Sequence, residues 1–506
     1  MKTKRNLILA ALLTLTSLSV SASAGAVPLK LEESRDGLWY TEWLNYDGLA
    51  ANGATGEGVK IAVIDRAVDT TVPELEGANV EVKGSVCADP DTKKAKEVES
   101  SDPSLSSHGT NSVAMIVGNG EAEDGKPGAR GIAPRAEVWF YGVGDIDDAG
   151  SDCLRQDPTV PVGGVDLSND IALGTGTRVK SNADGHGEPT SLAARVAIRD
   201  GADIVSISFM GGASDWDQVL IEAQMAGVIV VSSTDNPDSD QMIVGGPWET
   251  NGAVPVASVD SNGDPFESPS SGESGLGSPM LAFAAPGVGL LGVGNKDTWG
   301  PELITGTSYA TPIVAGALAL GIQKHPNASR FQVLQALIRT TDDGVLREPE
   351  WFGTQFGYGY VNPTGMLEVD PSQFPDVNPQ FVTDIKDSRC KLSDGSAGTI
   401  DDSGTWQCGW SSGPFPPQLE SYEKVVKDGA PVLNDVDELV ASPYSEASPT
   451  DGVVSSPSVG MVIGIGSAML LIIAAGVAVP LIIWGNRKRS RRVAAGSNSG
   501  GGISHE

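Results

Sequence analysis

Short apolar runs alternate with amphipathic segments through the middle of this 506-residue chain. Continuous apolar runs bounded by Gly, Asp or Asn are typical of strands buried on both faces, whereas the amphipathic segments have helical spacing. The predicted strands are 59–65, 138–143, 203–209, 227–232 and 254–259, and the predicted helices are 191–200 and 216–225. This alternation predicts an α/β fold in which helices cover one parallel sheet.

The apolar run nearest the start of the chain predicts export. A basic head over residues 1–5 precedes it, and small residues at Ala22 and Ala24 follow it. This order is typical of a secretory signal peptide, which we expect over residues 1–24.

A second apolar run, 459–484, contains no charged residue. At about 1.5 Å per residue it is long enough to cross a bilayer. Five basic residues follow it within 487–492. The positive-inside rule then predicts a single C-terminal transmembrane helix, a cytoplasmic tail over 485–506 and an extracytoplasmic remainder.

Composition divides the remainder into three parts. Residues 25–55 are rich in aromatic side chains but too few for a domain, so we expect this N-terminal extension to pack against the segment that follows. Residues 56–369 carry the strand and helix pattern. Residues 370–458 are rich in Pro, Ser, Asp and Gly, which predicts an extended spacer with a small cysteine-linked knot.

All four cysteines lie in the part that is predicted to be exported. An even number of cysteines in an oxidising compartment favours disulfides over a metal site. Sequence alone allows three pairings. Proximity along the chain favours Cys87–Cys153 and Cys390–Cys408.

Acidic residues outnumber basic ones, 65 against 34, and the formal net charge is −31 at pH 7. Five of the basic residues belong to the predicted tail, so the exported part is more acidic still. This charge argues against nucleic acid as a partner. No group of carboxylates has the spacing of a calcium loop, and neither a metal nor a cofactor is predicted.

One serine lies among small residues directly before a long apolar helix predicted over 313–322. Ser308 belongs to the segment Gly-Thr-Ser-Tyr-Ala-Thr-Pro, 306–312. Glycine lets the backbone approach a substrate closely, and proline is tolerated in a first helical turn. The segment is typical of a nucleophile on a turn that opens a buried helix, although ordinary loops share the pattern.

A serine nucleophile needs a base, and the chain has four histidines. His505 lies in the predicted tail, and His325 lies at the end of the helix that follows Ser308. His108 precedes an apolar helix and has glycine beside it, whereas His186 lies in a glycine-rich loop. We therefore expect His108 to be the general base, with His186 as the alternative.

The imidazole needs a carboxylate that fixes its tautomer. Asp65 ends a predicted buried strand, where an unpaired charge would be costly, and Asp69 is the competing carboxylate. Asn236 follows another strand end. Its amide could donate to an oxyanion, or the residue could simply form the turn before Pro237.

These residues resemble the motifs of the subtilases, because the chain order aspartate, histidine, serine is that of subtilisin. The segments that resemble family motifs are 62–65, 108–110, 285–287 and 306–312. The resemblance covers about 56–367. It implies a subtilisin-like fold and peptide hydrolysis by Asp65, His108 and Ser308, with Asn236 in the oxyanion hole and no cofactor.

Within the subtilases the chain most resembles the mycosins of actinobacterial type VII secretion. The shared features are a signal peptide, a short extension in place of a long pro-domain, extra cysteines, a Gly-Tyr-Gly-x-Val-x-Pro ending over 357–363 and one C-terminal anchor. Besides a polypeptide substrate, this resemblance implies a membrane secretion complex as a partner.

The resemblance also implies where the substrate binds. Residues 206–212 are similar to the family's substrate-binding edge strand, so the substrate backbone is expected to pair with Ser208, Phe209, Met210 and Gly211. Asp235 stands directly before the oxyanion asparagine, where the family usually has glycine. If Asp235 faces the pocket for the side chain before the scissile bond, it favours Arg or Lys there; otherwise it turns outward and caps its own turn.

Three other positions depart from the family pattern. Arg66 and Ala67 follow the aspartate in place of Thr or Ser and then Gly, and Tyr309 replaces a methionine after the serine. No catalytic atom is lost. The sequence predicts a membrane-anchored extracytoplasmic serine endopeptidase associated with type VII secretion. The alternative is a weakly active or inactive scaffold subunit of a membrane secretion complex.

Overall fold

The computed structural model describes residues 37–88, 97–143, 154–155, 188–208, 216–237, 246–268, 278, 280–387, 389–390, 396–400 and 406–408. The predicted signal peptide, transmembrane helix and tail lie outside these residues, as do His186, Cys153 and most of the predicted spacer.

The strands, in chain order, are β1 Lys60–Asp65, β2 Val80–Ser85, β3 Cys87–Ala88, β4 Asn119–Glu121, β5 Pro127–Arg130, β6 Glu137–Gly142, β7 Leu154–Arg155, β8 Ile204–Ile207, β9 Ile229–Ser233, β10 Val254–Val259, β11 Phe283–Pro286, β12 Leu290–Asn295, β13 Thr298–Ile304, β14 Thr399–Ile400 and β15 Trp406–Gln407. The α-helices are α1 Trp39–Trp43, α2 Tyr46–Ala51, α3 Pro103–Val117, α4 Glu188–Asp200, α5 Trp216–Ala226, α6 Thr307–Lys324, α7 Arg330–Arg339 and α8 Pro363–Glu368.

A parallel sheet forms the centre of the described part, in the order β11–β10–β9–β8–β1–β6–β2. Each neighbouring pair in it is parallel. The predicted α/β fold is therefore confirmed, and the five predicted strands match β1, β6, β8, β9 and β10. Because the strands are parallel, their carboxyl ends meet at one edge, where such sheets bind ligands.

Successive side chains of β1 pack against opposite helical layers. Ile61 and Val63 belong to the core that contains α3 and α6, whereas Ala62 and Ile64 belong to the core that contains α4 and α5. Side chains alternate between the faces of a strand with a period of two. The residue that ends the strand, Asp65, therefore lies on the face that α3 covers.

The N-terminal extension packs into the first of these two cores, as predicted. Tyr40 of α1, Leu44 directly after it, and Tyr46 and Leu49 of α2 are buried there. The Tyr40 hydroxyl donates to the carbonyl oxygen of Arg130 and accepts from its N–H, both at 3.0 Å. Burying these aromatic rings fixes the extension to the domain without a fold of its own.

The first part of the predicted spacer also packs against the domain. Gln380 donates its side-chain amide to the Met280 carbonyl at 2.7 Å, and Asn251 accepts the Val382 N–H at 2.7 Å. The predicted Cys390–Cys408 disulfide is present. Among the described residues no helix is both long and apolar enough to cross a membrane.

Glu74 is a buried acid, and among the described residues its Oε1 atom has no hydrogen-bond partner. Burial disfavours its charged form and Glu123 repels it, so the pKa of Glu74 is raised to about 7. At a pH between the pKa of Glu74 in the unfolded chain and about 7, Glu74 takes up a proton when the protein folds. The free energy of unfolding therefore decreases as pH rises through this interval.

Replacing Glu74 by glutamine should remove this dependence on pH. We expect Glu74→Gln to raise the free energy of unfolding at pH 8 by roughly 1–3 kcal/mol, since one pKa unit is worth about 1.4 kcal/mol. At pH 4.5 the two proteins should have similar stability. Urea unfolding at both pH values measures this. An equal change at the two pH values would contradict a protonated Glu74.

Candidate active site

Asp65 ends β1 with its carboxylate fully buried. The His108 Nδ1 atom lies 2.9 Å from each carboxylate oxygen, and the Arg66 N–H donates to Oδ1 at 2.8 Å. Burial acts to raise the pKa of Asp65. The imidazole and the Arg66 N–H outweigh burial, so that the pKa is lowered overall. The carboxylate is thus held ionised against the imidazole.

His108 lies in the second turn of α3, not before the helix as the sequence suggested. The helix begins at Pro103 because the Asp102 side chain caps it by accepting the Ser104 N–H at 3.0 Å. Gly109 brings this turn close to β1: a Cβ atom there would lie 2.2 Å from the Ala67 carbonyl oxygen. Only glycine fits, and this close approach brings His108 to Asp65.

Ser112 is a site residue that the sequence analysis missed. Its hydroxyl lies 3.2 Å from Asp65 Oδ2 and 3.0 Å from the His108 carbonyl oxygen, so it can donate to either. Residues four apart share one face of a helix, and this spacing from His108 was the available signal. Ser112 adds a second side-chain donor to a carboxylate that has no contact with solvent.

Ser308 is the second residue of α6, so the helix begins earlier than the predicted 313–322 and includes the serine turn. Gly306, which caps the helix, has φ 157°, a conformation that favours glycine. Thr307 fixes the turn, because its hydroxyl donates to the Thr234 carbonyl at 2.6 Å. Ser308 is partly exposed, and its N–H is one of the first-turn groups that no helical carbonyl can accept from.

Asn236 lies beside this turn, just past the end of β9. Its Oδ1 atom accepts the Thr307 N–H at 3.0 Å. Because the amide oxygen accepts this hydrogen bond, the hydrogen-bond pattern assigns the other terminal atom of the Asn236 side chain as the nitrogen, Nδ2. A Cβ atom on Gly306 would lie 3.7 Å from Nδ2 and 3.8 Å from the Ser308 nitrogen, so both nitrogens border the space beside Gly306.

The ring of Tyr309 connects the serine turn with the histidine. Its centroid lies 5.8 Å from that of His108. No hydrogen bond joins Ser308 to His108 among the described residues, and such bonds are often long until a substrate binds. Burial and the charge of Asp65 raise the pKa of Tyr309 to about 12, so this phenol stays neutral beside the site.

The competing residues take other roles. Asp69 accepts hydrogen bonds from Thr71, and His325 caps the C-terminal end of α6. Neither touches His108. The motif glycine Gly287 accepts the Gly306 N–H at 2.8 Å, and therefore supports the serine turn from behind.

The predicted substrate-binding residues are only partly described. Ser208 is buried at the end of β8, whereas Phe209, Met210 and Gly211 lie outside the described residues. β8 pairs with β1 and β9 through residues 204–207, so the first two residues of the expected edge strand 206–212 lie inside the sheet, and a substrate could pair only beyond Ile207. Asp235 is 5% exposed, and its place in a pocket stays a prediction.

Comparison with known sequences identifies the family. The subtilase family model matches residues 56–360, more than half of the chain. The chain belongs to the subtilase family. The match contains Asp65, His108, Asn236 and Ser308 in the order expected from the motifs.

Individual subtilases are distant relatives. Serine protease AprX of Bacillus subtilis (strain 168) is 26% identical over 326 residues, which cover 59% of this chain and 64% of AprX. Subtilisin DY of Bacillus licheniformis is 26% identical over 330 residues, which cover 64% of this chain and 94% of that protein. The chain thus spans slightly less than two thirds of AprX.

Solved structures that resemble this subtilase include fervidolysin from Fervidobacterium pennivorans, a keratinolytic enzyme related to subtilisin. Its sequence is 24% identical, and the TM-score is 0.46 over 66% of this chain and 46% of fervidolysin. MycP1 from Mycobacterium smegmatis is similar at 20% identity, with a TM-score of 0.45 over 68% of this chain and 87% of MycP1.

The contact between Asp65 and His108 yields a direct prediction for this subtilase. Asp65→Asn keeps the shape but reverses the hydrogen bond that fixes the tautomer, so kcat for a peptide substrate should fall by roughly 10³–10⁴-fold. The matched control is Asp69→Asn, which changes a nearby buried carboxylate without touching His108 and should retain kcat near that of the unmodified protein. Equal losses in the two variants would contradict the assignment.

Proposed function

We propose that this subtilase is a serine endopeptidase that hydrolyses polypeptides outside the cytoplasmic membrane. The observation that carries the proposal is the buried carboxylate of Asp65, 2.9 Å from His108 Nδ1. A carboxylate in this position favours the tautomer with its proton on Nδ1, which leaves a lone pair on Nε2 for the serine proton. Family membership supports the same chemistry.

Acylation begins when Ser308 Oγ attacks the scissile carbonyl carbon and His108 Nε2 takes the hydroxyl proton. The imidazole becomes positively charged, and ionised Asp65 stabilises that charge without itself accepting the proton. The negative charge that develops on the carbonyl oxygen meets the Asn236 amide and the Ser308 N–H. Losing one donor of this kind costs about 10²–10³ in turnover.

The second half of the reaction reverses these proton transfers. His108 gives its proton to the leaving amine, and the first peptide product departs. Water then enters, loses a proton to His108 and attacks the acyl-enzyme ester. Collapse of that intermediate returns the proton to Ser308 Oγ and releases the second product.

The membrane location and the secretion partner are further parts of the proposal. The signal-like segment 1–24 and the uncharged run 459–484 followed by basic residues support an anchored, extracytoplasmic domain. The mycosin-like features of the sequence support association with a type VII secretion complex.

A scaffold function is the second candidate. Arg66 and Tyr309 both line the cavity beside His108, at positions where the family pattern has other residues. A charged side chain and a large ring there narrow the space beside the base. A folded protein with an unreactive Ser308 would fit a scaffold subunit instead of a peptidase.

A fluorophosphonate probe separates the two candidates, because only an activated serine reacts with it. The unmodified protein should be labelled, and both Ser308→Ala and His108→Ala should abolish labelling. The melting temperature should stay nearly unchanged in Ser308→Ala, whereas His108→Ala leaves the buried Asp65 carboxylate without its imidazole partner and should lower it. His186→Ala is the matched control and should retain labelling. An unlabelled but folded wild-type protein would favour the scaffold, and loss of labelling only in His186→Ala would assign the base to His186.

The proposed topology has its own test. Protease added to intact spheroplasts should remove the domain 56–369 and spare a tag placed after Glu506, because the basic segment keeps the tail in the cytoplasm. Spheroplasts opened with detergent serve as the control and should lose the tag as well. Loss of the tag from intact spheroplasts would refute the proposed orientation.

A further inference from the structure

A pocket of about 380 Å³ opens beside the catalytic histidine. Its walls are the first turns of α3, the hairpin of β12 and β13, the residue after β1 and the start of α6. The lining residues that matter here are Arg66, Leu105, His108, Lys296, Leu303 and Tyr309. The residues that would hold the acyl part of a substrate, Ser208, Asp235 and Asn236, do not line this pocket.

The position of the pocket determines which part of a substrate it receives. During acylation the carbonyl oxygen points to Asn236, and the leaving nitrogen must lie next to His108, which protonates it. A pocket that shares His108 and Tyr309 but not Asn236 therefore lies on the leaving side of the scissile bond. The side chains of substrate residues directly after the scissile bond are therefore the ones that reach the pocket.

The charged groups that line the pocket are cationic, although the buried Asp65 carboxylate lies behind Arg66 and His108. Arg66 and Lys296 line the pocket, and none of its described lining residues is Asp or Glu, although acids outnumber bases 65 to 34 in the whole chain. Charges further away than about 8 Å are largely screened at physiological salt. Arg66 is half-buried, and its five N–H donors allow it to bind a ligand in addition to protein groups.

The other walls are apolar. Leu105 is 46% exposed and Leu303 is 43% exposed, both unusually open for leucine, and Tyr309 lines the same pocket. A ligand that combines an apolar stem with a carboxylate would cover these leucines and reach the cations. Exposed leucine in such a cleft is typical of a binding site.

The two sides of the pocket are fixed relative to each other. Asn111 of α3 donates to the Gly294 carbonyl at 2.8 Å and accepts the Val293 N–H at 2.7 Å. Trp299 of β13 donates to the Ser101 carbonyl at 2.8 Å. These bonds hold the hairpin that carries Lys296 against the helix that carries His108, so the pocket is present before a substrate binds.

We propose that this pocket binds a carboxylate on the leaving side of the scissile bond. The carboxylate belongs to a Glu or Asp side chain just after the bond, or to a C-terminus close behind it. The apolar stem lies against Leu105 and Leu303, and the negative charge lies between Arg66 and Lys296. This inference rests on the proposed endopeptidase function and adds a substrate preference to it.

Matched quenched peptides test the preference. Two peptides that differ only in Glu or Gln directly after the cleaved bond should differ roughly three- to tenfold in kcat/KM in favour of Glu, as two charge pairs at a partly exposed site allow. Raising the salt from about 0.1 M to 1 M should reduce the ratio. Each peptide is also made in a short form that ends close behind the cleaved bond, with either a free or an amidated C-terminus. Faster cleavage of the form with the free C-terminus would show that the pocket binds the terminal carboxylate.

Variants connect the preference to the pocket. Lys296→Ala should lower the Glu-to-Gln ratio to roughly two- to threefold, because Arg66 keeps the second charge pair, and Lys296→Glu should lower it to one or below. Lys296 is exposed, so neither variant is expected to disturb folding. The matched control is Lys126→Ala, an exposed lysine between β4 and β5 that does not line the pocket and should keep the wild-type ratio.

The outcomes separate this inference from the function on which it rests. Equal cleavage of acidic and amide peptides overturns the inference and leaves the endopeptidase proposal intact. If no peptide is hydrolysed, the proposed function fails. Calorimetry with the Ser308→Ala protein then decides on the pocket, because peptides that begin with Glu should bind roughly three- to tenfold tighter than those that begin with Gln. Equal affinities would overturn the inference.

Discussion

The hydrogen bond between a fully buried carboxylate and an imidazole is the constraint on which the rest of this structure depends. Asp65 is costly to bury as an ion, and it stays ionised because His108, Ser112 and the Arg66 N–H all approach it. That arrangement needs β1 at the centre of the sheet and α3 close above it. The glycine at 109, which no larger residue can replace, permits this approach.

The nucleophile depends on a second, separate set of contacts. Thr307 bonds to the carbonyl of Thr234 and to the amide of Asn236, so the first turn of α6 and the end of β9 hold each other. The same contacts place the Asn236 amide beside the turn that carries Ser308. The proposed catalytic groups thus come from three elements, β1, α3 and α6, and the packing of α3 and α6 against the sheet brings these elements together.

Apolar runs and strand ends were sufficient to predict five of the seven strands of the sheet and the place of Asp65, because strands buried on both faces leave a strong pattern in the sequence. The start of α3 was missed because its first turns are polar, although Asp102 and Pro103 form a helix-start signal. Ser112 was missed because its role depends on the distance between α3 and β1. Residues 371–382 were assigned to the spacer because they pack against the domain through polar amide side chains, such as that of Gln380. Such side chains leave no apolar pattern in the sequence.

The tautomer of His108 tests the central claim most directly. Nitrogen-15 NMR of histidine-labelled protein resolves the four imidazoles, and the His108→Gln variant identifies the relevant signals. At a pH where the ring is neutral, the account predicts the proton on Nδ1, facing Asp65, and a free lone pair on Nε2. A neutral ring with its proton on Nε2 would direct an N–H at Ser308, could not accept the serine proton, and would contradict the account.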